Sequence, residues 1–377
     1  MSLSIGVPKE TAPGERRVAL IPAHVPNLTA AGFSVLFEPG AGMAAGYPDA
    51  DYESKGALSA SRPDLLSRAD IVLSVRATDV AAQKEGQLVI GLMDPWQPNP
   101  SFDSWKAAKV TAFAMELIPR TTRAQAMDVL SSQANLAGYK GVLLAADLLP
   151  KIFPMMMTAG GTITPTKVFV LGAGVAGLQA IATAKRLGAL VSAFDVRLAA
   201  KEQVESLGAK FIIFDVGDAS AAGGYAKELT PEQQARQKEL MAEYLGKQGI
   251  DVIVTTAAIP GRPSPKLITE AMVKSLHPGA VIVDLASERG GNCELTVPGE
   301  TVERHGVTIA GPLNVPSRAA THASQLYSKN VSTFLLHLLN KEKQLEINVA
   351  DDIVAATLVT WKGGPGNEKI AAALGWT

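Results

Sequence analysis

The chain has 377 residues, of which 47% are hydrophobic and 19% charged, a composition that suits two domains with separate cores and excludes a largely disordered chain. With 35 Lys and Arg against 36 Asp and Glu, the net charge of -1 gives no electrostatic basis for binding nucleic acid or an anionic membrane surface. The single cysteine, Cys293, excludes an intrachain disulfide framework and fits a reducing compartment. Flanked by Asn292 and Glu294, it reads as a structural residue and not as an activated thiolate.

In chain order, the first stretch alternates short apolar runs with helical ones. Strands are expected at 4–7, 34–37, 71–75, 88–91 and 111–114, with helices at 23–31 and 65–69, the pattern of a parallel sheet with crossover helices. No basic segment followed by an apolar run opens the chain, so no signal peptide is expected. Three prolines between Asp94 and Pro100 predict a loop. From 124 to 149 the apolar spacing turns helical and predicts a long connector. The greasiest stretch, 141–163, is broken by Asp147, Pro150, Lys151 and Pro154 and falls short of the roughly 20 apolar residues of a membrane span.

A second series then opens, with strand 167–171, a glycine turn, helix 176–187, strand 190–194, helix 199–207 and strand 210–214. This order is half of a dinucleotide-binding fold. A charged helix at 231–246 and strands at 251–255, 280–285 and 307–310 supply the other half. Helix 325–339 returns the chain to the first domain, and 340–377 is expected to be a tail packed on it. The fold class is therefore α/β, two Rossmann-like doubly wound parallel-sheet domains with the second inserted into the first: residues 1–130 with 320–377, and 131–319.

The glycine turn is Gly172-Ala173-Gly174-Val175-Ala176-Gly177. A lone GxGxxG also suits an ordinary tight corner, but here it follows an apolar strand and opens a helix, and Asp195 ends the next strand eighteen residues after Gly177. A carboxylate so placed can bond the adenosine ribose hydroxyls. Gly172 permits the turn, Gly174 admits the pyrophosphate, and Gly177 lets helix and strand pack closely. Asp195 favours NAD(H) over a 2′-phosphorylated nucleotide through like-charge repulsion, and Val196 lies beside it. Arg197 can either hold such a phosphate or pair with Asp195. The loops 255–260, including Ala257, and 286–292, including Glu288 and Asn292, are expected at the carboxyl edge of the sheet, where nicotinamide binds in such folds; ordinary turn chemistry is the alternative. Residues 218–225, small and ending in Tyr225, read as a flap over the cofactor or as a plain surface loop. The five histidines, at 24, 277, 305, 322 and 337, show no metal-ligand spacing, so no metal is expected. Arg120, Gln125 and Asp128 form a polar cluster before the connector, open to a reading as a solvated helix start.

The whole chain resembles one superfamily, that of alanine dehydrogenase and the NAD(H)-binding subunit of proton-translocating transhydrogenase. Gly6 to Glu10 (GVPKE), Arg17 to Pro22 (RVALIP), Glu38 to Gly42 (EPGAG) and the glycine motif belong to both branches. Pro119 to Asp128 (PRTTRAQAMD), Val175 to Gly188 (VAGLQAIATAKRLG) and Ala222 to Glu228 (AGGYAKE) resemble the transhydrogenase branch. That resemblance implies a loop in which Arg120, Gln125 and Asp128, with Ser131 close by, position the nicotinamide carboxamide, and a mobile loop carrying Tyr225. The substrate lysine and catalytic histidine of alanine dehydrogenase should fall near Arg76 and Met93, and neither residue type stands there. Its aspartate before a Gly-Gly pair is matched by Glu288, ahead of Arg289 and Gly290.

Oxidation of an amine or alcohol releases a proton that a base must take, whereas direct hydride passage between two nicotinamides releases none. The resemblance thus implies an oxidoreductase subunit with NAD(H) as cofactor and two partners: a membrane-spanning proton-channel component and an NADP(H)-binding component. It also implies a homodimer, and a cytoplasmic place on the inner face of the membrane through those partners. Two alternatives stay open: an amino-acid dehydrogenase like alanine dehydrogenase, and a non-catalytic NAD-sensing module.

Overall fold

A computed structural model describes residues 2–79, 84–214, 230–258 and 261–376. The chain forms two compact units, Met1–Gln133 with Ser317–Thr377, and Ala134–Pro316.

The first unit begins with β1 (Ser4–Val7), α1 (Val25–Ala30), β2 (Ser34–Phe37), α2 (Asp49–Ser54), β3 (Leu58–Ser59), α3 (Arg62–Arg68) and β4 (Ile71–Arg76). It continues with β5 (Leu88–Leu92), α4 (Pro100–Ala107) and β6 (Thr111–Ala114). Then α5 (Val129–Leu148) leads into the hairpin β7 (Met156–Thr158) and β8 (Gly161–Ile163). The second unit proper is β9 (Lys167–Leu171), α6 (Val175–Arg186), β10 (Leu190–Phe194), α7 (Ala200–Ser206), β11 (Lys210–Phe211), α8 (Pro231–Gln248) and β12 (Val252–Thr255). It ends with α9 (Glu270–Ser275), β13 (Val281–Asp284), β14 (Thr301–Arg304) and β15 (Val307–Ala310). The chain closes the first unit with α10 (Ala320–His337), α11 (Asp352–Thr357), β16 (Leu358–Trp361), β17 (Gly364–Pro365) and α12 (Glu368–Leu374).

Among the described residues, the sheet of the first unit has the order β17-β16-β6-β5-β4-β1-β2-β3 and that of the second β11-β10-β9-β12-β13-β15-β14. Pairing is parallel from β6 to β3 and from β11 to β15. Strand order reverses between β1 and β4 in one sheet and between β9 and β12 in the other, the points where such folds open a crevice at the carboxyl ends. Both faces of each sheet are covered, so strand residues alternate between two cores. In β9, Val168 and Val170 pack into one and Phe169 and Leu171 into the other; in β4, Ile71, Leu73 and Val75 oppose Val72. Burial on both faces is why these strands read as continuous apolar runs.

Several expectations need correction. Residues 340–377 are not only a packed tail: β16 adds antiparallel to β6 and carries β17, so the first sheet is mixed at that edge, and β14 is antiparallel to β15 in the second. The strand expected at 210–214 stops at Phe211, because Ile212 makes one more bond, to the Ala193 carbonyl, before Ile213 turns outward, 58% exposed. The loop expected over 94–100 ends at Asn99, whose side chain caps α4 with Pro100 in its first turn, the place where a missing N–H costs nothing. The connector helix starts at Val129 and not at 124, since Thr122–Met127 winds as a 3-10 turn. The return helix starts at Ala320, five residues before the expected 325. Among the described residues no helix is long and apolar enough to cross a membrane.

Candidate functional site

The turn after β9 is built from three glycines that cannot be exchanged for one another. Gly172 has φ +94°, and a Cβ there would stand 2.7 Å from Thr256 Oγ1, the hydroxyl that donates to the Gly172 carbonyl at 3.1 Å. Gly174 occupies the N-cap of α6 with no side-chain cap, and nothing lies within 4 Å of where its Cβ would be. The first-turn amides of α6, Val175 among them, therefore face open space with the positive end of the helix dipole behind them, the geometry that accepts phosphate oxygens. A Cβ on Gly177 would lie 1.8 Å from the Gly172 carbonyl oxygen, so helix and strand meet backbone to backbone.

Asp195 follows β10 and is 8% exposed. Its Oδ2 accepts from the Ala173 amide at 2.7 Å and from Arg197 Nη2 at 2.8 Å, and its Oδ1 accepts from Arg197 N at 2.9 Å and Nε at 2.8 Å. The hydrogen bond from Asp195 outweighs burial and raises the Arg197 guanidinium above its ordinary range. Of the two roles open to Arg197, the structure thus displays pairing with Asp195. A carboxylate with this many donors stays ionised and is fixed beside the turn. Val196 is half-buried against the adjoining core.

At the ends of β12 and β13 the carboxyl edge is organised by a residue outside the expected set. Asp284 is fully buried and accepts from Thr255 Oγ1 at 2.8 Å and the Ala286 amide at 3.1 Å on Oδ1. On Oδ2 it accepts from the Cys293 amide at 3.0 Å and Thr296 Oγ1 at 2.7 Å. Asn292 is fully buried too: its Oδ1 accepts from Ala257 N at 3.0 Å, and its Nδ2 donates to the carbonyls of Ala257 at 2.8 Å and Pro265 at 2.9 Å. Its side chain shapes the Ala257 loop instead of facing a ligand. Glu288 accepts from the Asn314 amide at 2.6 Å. Burial pushes the Cys293 thiol up, which suits a structural cysteine. Tyr225 and the rest of 218–225 lie outside the described residues, as do Ile259 and Pro260.

In the first unit, Ala124 and Met127 enter the core while Arg120 and Gln125 are exposed. Asp128 caps α5, its Oδ1 accepting from Ser131 N at 2.9 Å and its Oδ2 from Ser131 Oγ at 2.6 Å. The structure therefore brings Asp128 and Ser131 together and leaves Arg120 and Gln125 on the same short segment. Arg76 donates through its amide to Glu10 at 3.0 Å and through Nε to Glu15 at 3.4 Å, and Met93 is buried. Among the described residues no group of three His, Cys, Asp or Glu side chains could hold a metal.

The same segment is tied to α11 by Arg123, which pairs with Asp351 at 2.7 Å and with Asp352. Burial alone would raise the Asp351 carboxyl, but the Arg123 guanidinium, the Val354 amide and His337 outweigh it and hold it at about 2 instead of 3.8. A carboxylate depressed on folding stabilises the fold above its ordinary value, and the contribution disappears as pH falls through the folded value. The unfolding midpoint of the parent chain is therefore expected to exceed that of Asp351→Asn at pH 5, with the gap closing from about pH 4 towards about pH 2. A gap that stays constant over that window would show that the ion pair does not hold α11.

Residues 6–137 match the family described as alanine dehydrogenase/PNT, N-terminal domain, and residues 141–367 the alanine dehydrogenase/PNT, C-terminal domain. The chain is 48% identical over 374 residues to the first of the separately encoded pieces of NAD(P) transhydrogenase subunit alpha of Rhodospirillum rubrum, covering 96% of this chain and 97% of that one. The crystal structure of transhydrogenase from Sinorhizobium meliloti is similar with a TM-score of 0.87 at 47% identity, over 96% of this chain and 99% of that one. An L-alanine dehydrogenase structure gives a TM-score of 0.79 at 25% identity, over 99% of both chains.

Proposed function

Since this chain belongs to the alanine dehydrogenase/PNT family, on the branch of the NAD(P) transhydrogenase alpha subunits, we propose that it is the NAD(H)-binding subunit of a proton-translocating transhydrogenase. The observation that carries this reading is the near-full-length likeness to transhydrogenase chains, at 47 to 48% identity against 25% for the alanine dehydrogenase structure. Chemistry supports it. Where a lysine and a histidine would serve amino-acid oxidation, this chain has Arg76, paired with Glu15, and the buried Met93.

The residues present fit a dinucleotide. Gly172, Gly174 and Gly177 with the Val175 amide form the cradle for a pyrophosphate, and Asp195 with Val196 and Arg197 forms the ribose side. Because Arg197 is already paired with Asp195, a 2′-phosphate meets a neutralised cation and an ionised carboxylate, which favours NAD(H) over NADP(H). Ala257, Glu288 and Asn292 shape the loops at the carboxyl edge, and Tyr225 closes over the nucleotide. Bound NADH supplies the hydride, which passes to NADP⁺ held on a partner component, with no proton to be taken up by this chain. Arg120, Gln125, Asp128 and Ser131 position the nicotinamide; their contribution is orientation and exclusion of water. A membrane-spanning proton-channel component, peripheral attachment at the inner face of the membrane, and a homodimeric state complete the proposal.

Hydride transfer from NADH to an NADP⁺ analogue is expected to be absent with the chain alone and to appear when a transhydrogenase NADP(H)-binding component is added. Gln125→Asn, shortened by one methylene at an exposed position, is expected to lower the rate in that mixture about 10- to 100-fold. NADH binding without transfer in the mixture would sink the proposal, and activity with pyruvate, ammonia and NADH would replace it with an amino-acid dehydrogenase.

A further inference from the structure

The segment that carries the nicotinamide-positioning residues has weak internal bonding. It winds as a 3-10 turn, and the amides of Asp128 and Ser132 reach the carbonyls of Gln125 and Asp128 only at 3.3 Å. Short 3-10 turns of this kind hold their shape through outside contacts. One side chain from α10, far along the sequence, provides them on both sides. Asn330, 7% exposed, donates through Nδ2 to the Ala126 carbonyl at 2.8 Å and accepts through Oδ1 from Ser132 Oγ at 2.8 Å. Ala126 and Ser132 bracket Asp128 and Ser131, which are bonded to each other.

The bracket requires an amide. The Ala126 carbonyl can only accept, so the group facing it must donate, while the Ser132 hydroxyl requires an acceptor at the other branch. Aspartate would set a carboxylate oxygen against the Ala126 carbonyl, and leucine would leave both partners unpaired in a buried site. The support behind Asn330 is firm: Tyr327, Val331 and Phe334 of the same helix are fully buried in the core of the first unit.

We propose that Asn330 is a positioning residue for hydride transfer, setting the backbone from Ala126 to Ser132 and acting on the nicotinamide through Asp128 and Ser131 without touching the nucleotide. This rests on the transhydrogenase reading above. Misplacement by about 1 Å is enough to slow a positioned reaction by about 100-fold.

The test compares Asn330→Asp, Ser132→Ala and Tyr327→Phe in the chain mixed with the NADP(H)-binding component. Tyr327→Phe removes a buried hydrogen bond of the same helix, to the Ser74 carbonyl, away from the bracket, and serves as the structural control. Asn330→Asp is expected to lower the transfer rate about 10- to 100-fold with the dissociation constant for NADH changed less than about threefold. Ser132→Ala, which removes one arm only, is expected to lower the rate by about threefold and keeps the test available if the aspartate variant does not fold. Tyr327→Phe should leave both quantities unchanged. Amide exchange over residues 121–132, which needs no partner, should accelerate in Asn330→Asp and not in the control. Transfer rates within twofold of the parent in both bracket variants, or unchanged exchange over 121–132, overturn the proposal. If the parent chain itself transfers no hydride in the mixture, the functional reading fails and takes the catalytic half of this inference with it, while the exchange result still decides whether Asn330 sets the segment.

Discussion

Gly177→Ala is expected to weaken NADH binding by more than about 100-fold, the largest effect of any single methyl group in this chain. The added Cβ would lie 1.8 Å from the Gly172 carbonyl oxygen and 2.8 Å from its carbon. Both are backbone atoms, so no side chain can swing away; α6 must separate from the end of β9. Interiors packed at crystal density resist such a shift, at a cost of about 1–3 kcal/mol. The separation displaces the turn at Gly172 and the first-turn amides of α6 from each other, and these are the groups that would hold the pyrophosphate. Titration of intrinsic or nucleotide fluorescence reads the loss, and circular dichroism checks that the second unit is still folded. Binding within threefold of the parent would show that the dinucleotide does not use this turn.

Asp284→Ala is expected to be the most damaging substitution for stability. Four donors converge on a fully buried carboxylate, and its removal leaves the Thr255 and Thr296 hydroxyls and the Ala286 and Cys293 amides without their acceptor. Removing one partner from a buried charged network costs about 3–5 kcal/mol, and for a unit of this size that is about 6–20 °C in melting midpoint. Asp284→Asn keeps one acceptor oxygen and should fall between the alanine variant and the parent. A midpoint lowered by less than about 2 °C in the alanine variant would mean that water or a rearranged loop replaces the carboxylate.

What can be read from the sequence and what cannot divides along physical lines. The glycine turn and Asp195 are legible because each is a backbone requirement placed at a fixed distance from an apolar strand. Strands such as 167–171 and 190–194 are legible because a sheet covered on both faces needs unbroken apolar runs. Asn292 reads in sequence as a ligand contact, yet all its polar atoms serve the Ala257 and Pro265 backbone; a local sequence does not show which amides are already used. Asp284 and Asn330 escape because their partners come from other strands and helices. One available sign for Asp284 is a carboxylate ending the apolar run Val281-Ile282-Val283. The hairpin of β7 and β8 has a sign too, Gly160 and Gly161 between two short runs, masked by the apolar composition around it. The edge strand β16 escapes because four residues after a helix carry little periodicity.

That edge strand governs the order in which the protein can be made. The second unit is contiguous, 134–316, whereas the first needs α10 for its core and β16 for the edge of its sheet. On a ribosome adding about 5–20 residues per second, roughly 230 residues separate the emergence of Gln133 from that of Trp361, an interval of about 10–50 s. Throughout it the Thr111–Ala114 edge has no strand beside it, and such an edge is a template for pairing with other chains. The later-encoded unit is thus free to fold first, while nascent-chain chaperones are needed on the earlier one.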